Sequence, residues 1–521
     1  MAVKAPQFIL LSVAAALAAT LPGCAVGPSY HVPKPDVPAS FAAAGPTPKA
    51  AGSNPAVATG ASAPAADLAT WWRALNDEEL NSLVDRAVSA NLDLRIALDR
   101  LQQARTYEAV IVGKALPDVD ASAAAARGTG SDLSKGRADQ ILRSADTGAG
   151  IEHINTLAGF SALWELDIFG KFRREFEAAR ADTQAARAAR NDVLTAVIAD
   201  VVRAYVDLRG FQVRAAVLHK AADVLRESLR IVDIRYQRGI TNELDVELAT
   251  RELATLEAQI PPMEAQAGAA QYTLAVLLGE YPEQMIRELS RPDLIPSMPP
   301  PTAAGVPLDL LKRRPDIQQA ERELAATTAR IGVATANLFP QVSLSASIGS
   351  QGQGLGALPH VGKHVWSFGP GAVWPLLDFG ALDAEVDIAD VAAHASLLNY
   401  RKVILNAVRQ VDTSLDAYEA EQARMDKLGT AMTAGQRAVD LANARYDRGL
   451  TDFLNVVDAE RQFYDLQIQY ADAQVAQGEQ FVQLYRSLGG GWENYQSVPA
   501  IRLPQPAIIA AFRRAIGGGP H

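Results

Sequence analysis

Two hydrophobic patterns alternate along this chain. The first is a coiled-coil pattern, in which apolar residues are spaced alternately four and three positions apart, as in Leu194, Ile198, Val201, Tyr205 and Leu208. It lies in a proline-free stretch from Lys171 to Tyr236, which at about 1.5 Å per residue predicts a helix on the order of 100 Å long. A glycine turn follows at Gly239, and a return segment runs to Gly279, so we predict a long helical hairpin.

The second pattern is strict alternation of apolar residues with small or polar ones, which is typical of strands. Its apolar members are Ala158, Phe160, Ala162, Trp164 and Leu166, then Val342, Leu344, Ala346 and Ile348, then Trp366, Phe368, Ala372, Trp374 and Leu376. With a further strand after Pro117, we predict four strands, each with one apolar face. A half-buried soluble sheet and a membrane β-barrel both show this alternation.

The helical hairpin and its strands occur twice. The turn Arg-Tyr-Gln-Arg-Gly-Ile-Thr at 235–241 returns as Arg-Tyr-Asp-Arg-Gly-Leu-Thr at 445–451, an offset of 210 residues (445 − 235). The helix before the strands repeats at an offset of 223, which places Phe339-Pro340 where the first copy has Leu116-Pro117 (340 − 117). Pro261-Pro262 is predicted to kink the first return helix, and the second has no counterpart.

The amino terminus indicates export. Residues 1–23 have the pattern of a secretory signal, in which Lys4 precedes an apolar stretch too short to span a bilayer. The signal ends in Leu21-Pro22-Gly23-Cys24, which resembles the site cut before the lipid-modified Cys of bacterial lipoproteins, although Pro22 departs from the usual small residue. We therefore predict lipid attachment at Cys24, and the resemblance implies sorting to the outer membrane because Ala25 follows.

The predicted export helps to decide between the two interpretations of the strands. With a secretory signal and no run long enough for a spanning helix, the membrane barrel is favoured over the soluble sheet. Known outer-membrane barrels have about eight strands or more, so four strands per chain require several chains. Three copies would give twelve strands.

Composition excludes other function classes. The net charge of -10 argues against nucleic acid as a partner, because phosphate binding needs concentrated Lys and Arg. The chain has one Cys and seven His, and the His are scattered along the sequence, so the residues that an active site would need are lacking. We therefore predict a non-enzyme without a cofactor. His360 and His364 are four residues apart, but Pro359 and Gly362 break any helix that would align them, and we predict no metal site there.

These patterns predict a mainly α fold with a membrane β-barrel portion. The predicted regions are a signal peptide at 1–23, a lipid-anchored Pro/Ala-rich tether at 24–66, a first structural repeat at 67–300, a second at 301–492 and a tail at 493–521. Each repeat comprises a helix, a β-hairpin (117–169 or 340–379) and a coiled-coil hairpin (171–279 or 381–489).

Several short motifs resemble those of a known family. They are Cys24-Ala25-Val26-Gly27-Pro28, Trp71-Trp72, Ala90-Asn91-Leu92-Asp93-Leu94, Arg314-Pro315-Asp316-Ile317, Leu338-Phe339-Pro340 and both Arg-Tyr-x-Arg-Gly turns. With them, the chain resembles the outer-membrane factors of bacterial tripartite efflux systems, of the TolC and OprM type and the NodT-like lipoprotein branch. The resemblance extends from Cys24 to about Trp492.

The family fold that this resemblance implies is a homotrimer, with a twelve-stranded barrel in the outer membrane and a twelve-helix tunnel across the periplasm. The implied function is a passive export conduit. A periplasmic membrane-fusion (adaptor) protein would dock to it and connect it indirectly to an inner-membrane transporter. The implied location is the bacterial outer membrane, with lipid as a further partner. A periplasmic coiled-coil adaptor or scaffold lipoprotein without a pore is the competing function, but four strands with an apolar face favour the channel.

The resemblance assigns adaptor docking to the two hairpin tips. The candidate docking residues are Arg235, Arg238, Gly239 and Thr241 on the first tip, and Arg445, Arg448, Gly449 and Thr451 on the second. Local structure also explains part of this set, because a Gly after a helix and a Thr before the next are typical of a C-cap and an N-cap.

The resemblance also implies a periplasmic gate just past the second tip, formed by Leu454 and Asp458. These residues are four positions apart on one helical face, and Arg461 lies three positions further, where it can pair with Asp458. Three copies of Asp458 around a threefold axis would make a carboxylate ring that favours cations. A solvated Asp on a helix surface is the alternative.

Overall fold

The computed structural model describes residues 25–34, 38, 40–42, 68–128, 153–299, 309, 312–353 and 363–495. The predicted signal, the lipid site at Cys24, most of the tether and of the tail, and His360 lie outside these residues. The helices are α1 (Glu78–Ala90), α2 (Leu92–Lys114), α3 (Lys171–Gln237), α4 (Glu243–Glu257), α5 (Ile260–Leu278), α6 (Pro282–Glu288), α7 (Pro315–Asn337), α8 (Ala381–Asp447) and α9 (Phe453–Ser487), and the strands are β1 (Asp118–Gly128), β2 (His153–Leu166), β3 (Gln341–Gln353) and β4 (Lys363–Val373). Within this part of the chain, no helix is both long enough and apolar enough to cross a membrane.

The helices keep the two sequence offsets. α3 and α8 each have 67 residues and start 210 positions apart (381 − 171). α2 and α7 each have 23 residues and start 223 positions apart (315 − 92). The predicted coiled-coil positions of α3 are all buried, as are Ile404, Val411 and Tyr418 in the second copy. The duplicated hairpin is therefore confirmed.

The two return helices differ, as Pro261-Pro262 predicts. The first return is divided into α4 and α5 at Ala258 and Gln259, and the prolines lie at the start of α5, where a missing backbone N–H is tolerated. The second return, α9, is one continuous helix of 35 residues.

One predicted helix is divided in the structure. The pattern from Asp77 to Gly113 predicts a single helix, but Asn91 separates α1 from α2. The Asn91 backbone N–H still bonds to Ala87, while its side-chain oxygen accepts a bond from the backbone N–H of Leu94 at 3.0 Å. A second helix therefore begins where the side chain caps it.

The four strands form one antiparallel sheet in the order β1-β2-β3-β4. The register places Phe160 opposite Ile348, Ala162 opposite Ala346, and Ile348 opposite Trp366. Residues directly opposite share a face, so the apolar positions predicted for β2, β3 and β4 lie on the same side of the sheet as Val119 of β1, whereas Leu163 and Val365 lie on the other side. Ser161, Ser347 and Ser367 are opposite one another on the other side.

Two tryptophans at the sheet form hydrogen bonds with equivalent helix ends. The indole N–H of Trp164 donates to the Ala115 carbonyl, and that of Trp374 donates to the Leu338 carbonyl, both at 3.0 Å. The two acceptors are themselves equivalent under the 223-residue offset (338 − 115). The pair therefore has a structural role in each repeat.

The chain has two compact units that do not follow the repeats. One unit comprises 103–185 and 320–400 with the described residues up to Pro33, and includes the sheet. The other comprises the described residues of 34–102, 186–319 and 401–521. In this second unit Trp71 stacks on Tyr485 at 5.4 Å, and Arg314 donates to the Ser487 carbonyl at 2.8 Å, which connects the segment before α7 to the end of α9.

The segment that follows the predicted lipid site is held against the sheet-containing unit. The buried guanidinium of Arg174 donates to the carbonyls of Val26 and Gly27 at 3.1 and 3.0 Å. Gly27 has a φ of 83°, and a Cβ added there would lie 2.4 Å from the Cα of Gly332. Only glycine permits so close an approach with this backbone conformation.

We predict that Arg174→Ala releases this segment. The variant loses two hydrogen bonds to the segment, a loss of roughly 1–3 kcal/mol of local stability, so limited proteolysis should remove the amino-terminal residues faster than in the native protein. The matched control is Arg173→Ala, since Arg173 is exposed and bonds to Asp167 instead. Equal cleavage rates in the two variants would contradict the assignment.

Candidate gate and docking tip

The two hairpin turns have the same backbone geometry. Gly239 and Gly449 adopt φ values of 71° and 67°. In the first turn the N–H of Ile240 bonds to the Arg235 carbonyl and that of Gly239 to the Tyr236 carbonyl; in the second, Leu450 and Gly449 make the equivalent bonds. These two bonds define a Schellman motif, so both glycines end their helices as C-caps.

The threonines that follow are not N-caps, contrary to the sequence prediction. The N-caps of α4 and α9 are Asn242 and Asp452, one residue later. Thr241 donates its hydroxyl to Asp245, and Thr451 accepts a bond from the Asn455 side chain at 2.8 Å. The threonines therefore bond to the residue four positions ahead, across the first turn of each return helix.

A small apolar core joins the two hairpins beneath the tips. Val232, Ala249, Phe453, Val456 and Val457 form this buried cluster. Above it, the Arg235 guanidinium lies 4.4 Å from the centre of the Tyr446 ring, which in turn packs on Phe453. Arg235 thus holds one hairpin against the other by a cation–π contact.

The other candidate docking residues lie on the surface. Arg238, Arg445 and Arg448 are exposed, as are both glycines, while Thr241 and Thr451 are half-buried. Exposed apolar side chains lie among the arginines, namely Ile240 and Leu450 at the turns and Leu244 on α4. Sequence reasoning passed over these three, although Ile240 and Leu450 follow the repeated Arg-Gly at both tips. The exposed surface therefore combines cationic and apolar groups.

The predicted gate residues share the outer face of α9. Leu454 is exposed, and four residues on, Asp458 accepts a bond from Arg461 at 2.8 Å and a second from Gln462 at 2.7 Å. The opposite face of α9 is buried through Phe453, Val456, Val457 and Glu460. The structure therefore brings Leu454, Asp458 and Arg461 together, away from the packed core.

The two hairpins differ at this position. Under the 210-residue offset, Leu454 and Arg461 correspond to Leu244 and Arg251, but Asp458 corresponds to the apolar Leu248. The acidic member of the set therefore occurs in the second hairpin alone.

Behind this face lies a buried carboxylate, Glu460, which sequence reasoning did not single out. Glu460 is 2 % exposed, and among the described residues its Oε2 atom has no hydrogen-bond partner. Burial raises the pKa of Glu460, and a hydrogen bond from Asn443 offsets this only in part. The second hairpin therefore contains a poorly satisfied acid one residue before Arg461.

Among the described residues, no group of three or more His, Cys, Asp or Glu is placed to hold a metal ion.

Comparison with known proteins identifies the family of this chain. Residues 83–280 and 306–490 match the outer membrane efflux protein family, and the chain belongs to this family. It is 32% identical over 474 residues to nodulation protein T of Rhizobium leguminosarum bv. trifolii, a match that covers 91% of this chain and 95% of that protein. It is 31% identical to the pyoverdine export outer membrane protein OpmQ of Pseudomonas aeruginosa, over 82% of this chain and 89% of that one.

The solved structure of the outer-membrane channel OprN matches with a TM-score of 0.79 at 33% identity, covering 90% of this chain and 100% of that one. The resemblance drawn from the motifs is thereby confirmed. OpmQ is an export outer membrane protein and OprN an outer-membrane channel, which with the family match supports an outer-membrane location and a transport role for this chain.

We predict that Glu460→Gln stabilises the protein at neutral and alkaline pH. A carboxyl whose pKa is raised on folding contributes its stability at low pH, and this stability is lost as pH rises through the raised pKa. The neutral amide removes this loss, with a gain of up to about 1–3 kcal/mol, the usual penalty of a buried polar group without a partner.

Thermal unfolding in detergent from about pH 5 to about pH 8 checks this prediction, with a difference between variant and native protein that grows with pH. Glu247→Gln, at an exposed acid of the first hairpin, is the control and should show no such trend. A Glu460→Gln variant that is less stable than the native protein at the alkaline end would refute it.

Proposed function

We propose that three copies of this chain form a passive outer-membrane channel for small molecules, the exit component of a tripartite efflux system. The observation that carries the proposal is the open sheet, which has four strands, a continuous apolar face, and β1 and β4 as its two outer strands. Four strands are too few to enclose a pore, whereas three copies supply twelve, within the range of outer-membrane barrels.

The apolar face suits a lipid environment. Val119, Phe160, Ile348, Trp366 and Phe368 share this face and are exposed. Side chains of this size on one surface are expected where strands face hydrocarbon, with small or polar residues facing the lumen. The serines at 161, 345, 347 and 367 and the glycines at 159, 349, 369 and 371 supply such a lumen surface.

We place the gate on the outer face of α9. Around a threefold axis, Leu454 would form an apolar ring and Asp458 an acidic ring four residues beyond it. The bonds from Arg461 and Gln462 to Asp458 lower the repulsion among three carboxylates when the ring closes. Because the first hairpin has Leu248 in place of the acid, the gate belongs to the second hairpin.

The adaptor would dock on the exposed tips. Arg238, Arg445 and Arg448 are available to acidic groups of a partner, and Ile240 and Leu450 supply apolar contact between them. We assign Arg235 a supporting role, because its guanidinium packs on Tyr446 within the chain. The glycines and threonines fix the shape of the tips. Lipid on Cys24 would anchor the protein to the membrane, and the Arg174 contacts would hold the following residues near the sheet.

We predict that Asp458→Asn lowers the cation selectivity of the channel. The change removes three negative charges per trimer from the narrowest point, so single-channel recordings in planar bilayers should show weaker cation preference and a changed conductance. The control is Asp233→Asn, near the tip of the first hairpin, whose carboxylate bonds to Gln237. Unchanged conductance and selectivity would remove Asp458 from the gate.

We predict that Arg445→Glu combined with Gly449→Asp weakens adaptor binding by about tenfold or more, the equivalent of roughly 1.4 kcal/mol. The substitutions reverse one charge and place a side chain on a backbone with positive φ. Arg424→Glu on the same helix is the control, since its ion pair with Glu421 lies 21 residues from Arg445 (445 − 424). Intact adaptor crosslinking and drug resistance in the double variant would count against tip docking.

A further inference from the structure

Four helices line a cavity of about 350 Å³ beside the sheet. α2 precedes β1 and α7 precedes β3, whereas α3 follows β2 and α8 follows β4, and each lining residue lies in the half of its helix nearest the sheet. All of these residues belong to the sheet-containing unit. The volume is within the range of small-molecule pockets, which is about 300–1,000 Å³.

Part of the cavity surface is apolar. Ile111 of α2 and Ala178 and Ala179 of α3 line it and are buried, so the packing of the helices fixes their positions. Val333 and Ala334 of α7 continue the same surface. The cavity therefore offers contact to the apolar body of a ligand, whose burial would favour binding.

The polar part of the cavity is acidic. Glu175, Asp182 and Glu385 contribute three carboxylates, and Arg330 contributes a guanidinium that pairs with Asp182. The Oε2 atom of Glu175 is buried and, in the described part of the chain, has no hydrogen-bond partner. A buried carboxylate oxygen without a partner is costly, and a cationic ligand would remove this cost.

The cavity combines equivalent positions of the two repeats. Glu175 and Glu385 are the fifth residues of α3 and α8, which the 210-residue offset relates (385 − 175). Tyr107 and Arg330 are related by the 223-residue offset (330 − 107). In the proposed channel the two repeats would take successive places around the pore axis, and side chains from successive places converge on the inner side of a curved wall. The cavity would therefore open toward the pore.

Tyr107 adds an aromatic ring to the acidic part of the cavity. Its side chain is exposed, so the ring is accessible to a ligand. The face of an aromatic ring attracts a cation that lies within about 6 Å of its centre. Because no three His, Cys, Asp or Glu among the described residues are placed to hold a metal ion, the ring and the apolar surface favour an organic cation.

We propose that this cavity binds organic cations with an apolar body as they pass through the channel. The inference rests on the proposed function and adds a binding subsite to the conduit. Glu175 and Glu385 pair with the positive charge, Tyr107 lies against it, and the surface formed by Ile111 and the alanines contacts the apolar body. A neutral or anionic molecule of the same size lacks the first two interactions, so the site discriminates by charge.

Binding of ethidium, a planar aromatic cation, to the native protein purified in detergent tests the subsite by fluorescence anisotropy. We expect Glu175→Gln/Glu385→Gln to raise the Kd for ethidium about tenfold or more, because the variant removes both pairing charges and keeps the shape of the side chains. We expect a smaller rise, about threefold, in Tyr107→Leu, which removes the ring but keeps an apolar side chain.

The matched control is Asp383→Asn/Asp390→Asn, which removes the same number of charges from the chain. Both aspartates are exposed on α8, and at about 100° per residue they lie roughly 160° and 140° around the helix from Glu385. The control should bind ethidium as the native protein does. Tetraphenylphosphonium should displace ethidium from the native protein, whereas tetraphenylborate, an anion of the same shape, should not.

Conductance in planar bilayers shows that each variant still assembles. Equal affinities in the cavity variant and the control, or equal displacement by the two tetraphenyl ions, would overturn the subsite. A native protein that conducts as a trimer but does not bind ethidium would also overturn the subsite and leave the channel standing. A native protein that neither forms trimers nor conducts would overturn the proposed function, and the subsite with it.

Discussion

The rest of this structure depends on one constraint, which is that backbone hydrogen bonds at the edge of a sheet need partners. Among the described residues the sheet has four strands, and its outer strands, β1 and β4, each have a strand partner on one side only. Such an edge in contact with hydrocarbon is costly, because no water is there to bond to it, and a closed barrel removes the cost. A chain with one apolar sheet face and two open edges therefore favours assembly with further copies.

The two repeats keep the lengths of their helices. α3 and α8 have equal lengths, as do α2 and α7. The repeats have diverged where their environments differ. The buried alanines 178, 181 and 188 of α3 correspond, under the 210-residue offset, to the larger and exposed Ile388, Val391 and Leu398 of α8. The return helices have also diverged. The first is divided at Ala258 and Gln259, whereas the second is continuous and contains Asp458 and Glu460.

Much of the fold was predictable because it depends on local pattern. Heptad spacing predicted α3, strict alternation predicted the strands, and Pro261-Pro262 predicted the interrupted return helix. The features that the sequence did not predict depend on contacts between residues far apart in the chain, or on which of two neighbouring residues caps a helix. Asn91 ended one helix and began another, and Asn242 took the cap position expected for Thr241. The sequence alone does not indicate that the Arg235 guanidinium packs on the Tyr446 ring within the chain. It also does not indicate that Glu460 is buried. The grouping of Leu454, Asp458 and Arg461 on one face followed from helical spacing.

The central claim is the proposal that three copies of this chain close one twelve-stranded outer-membrane channel. Electron cryo-microscopy of the protein extracted from outer membranes tests this most directly. The account predicts three copies around one axis, their twelve strands in one closed barrel, and Leu454 and Asp458 facing the pore. A different number of copies, or Leu454 and Asp458 facing away from the pore, would contradict it.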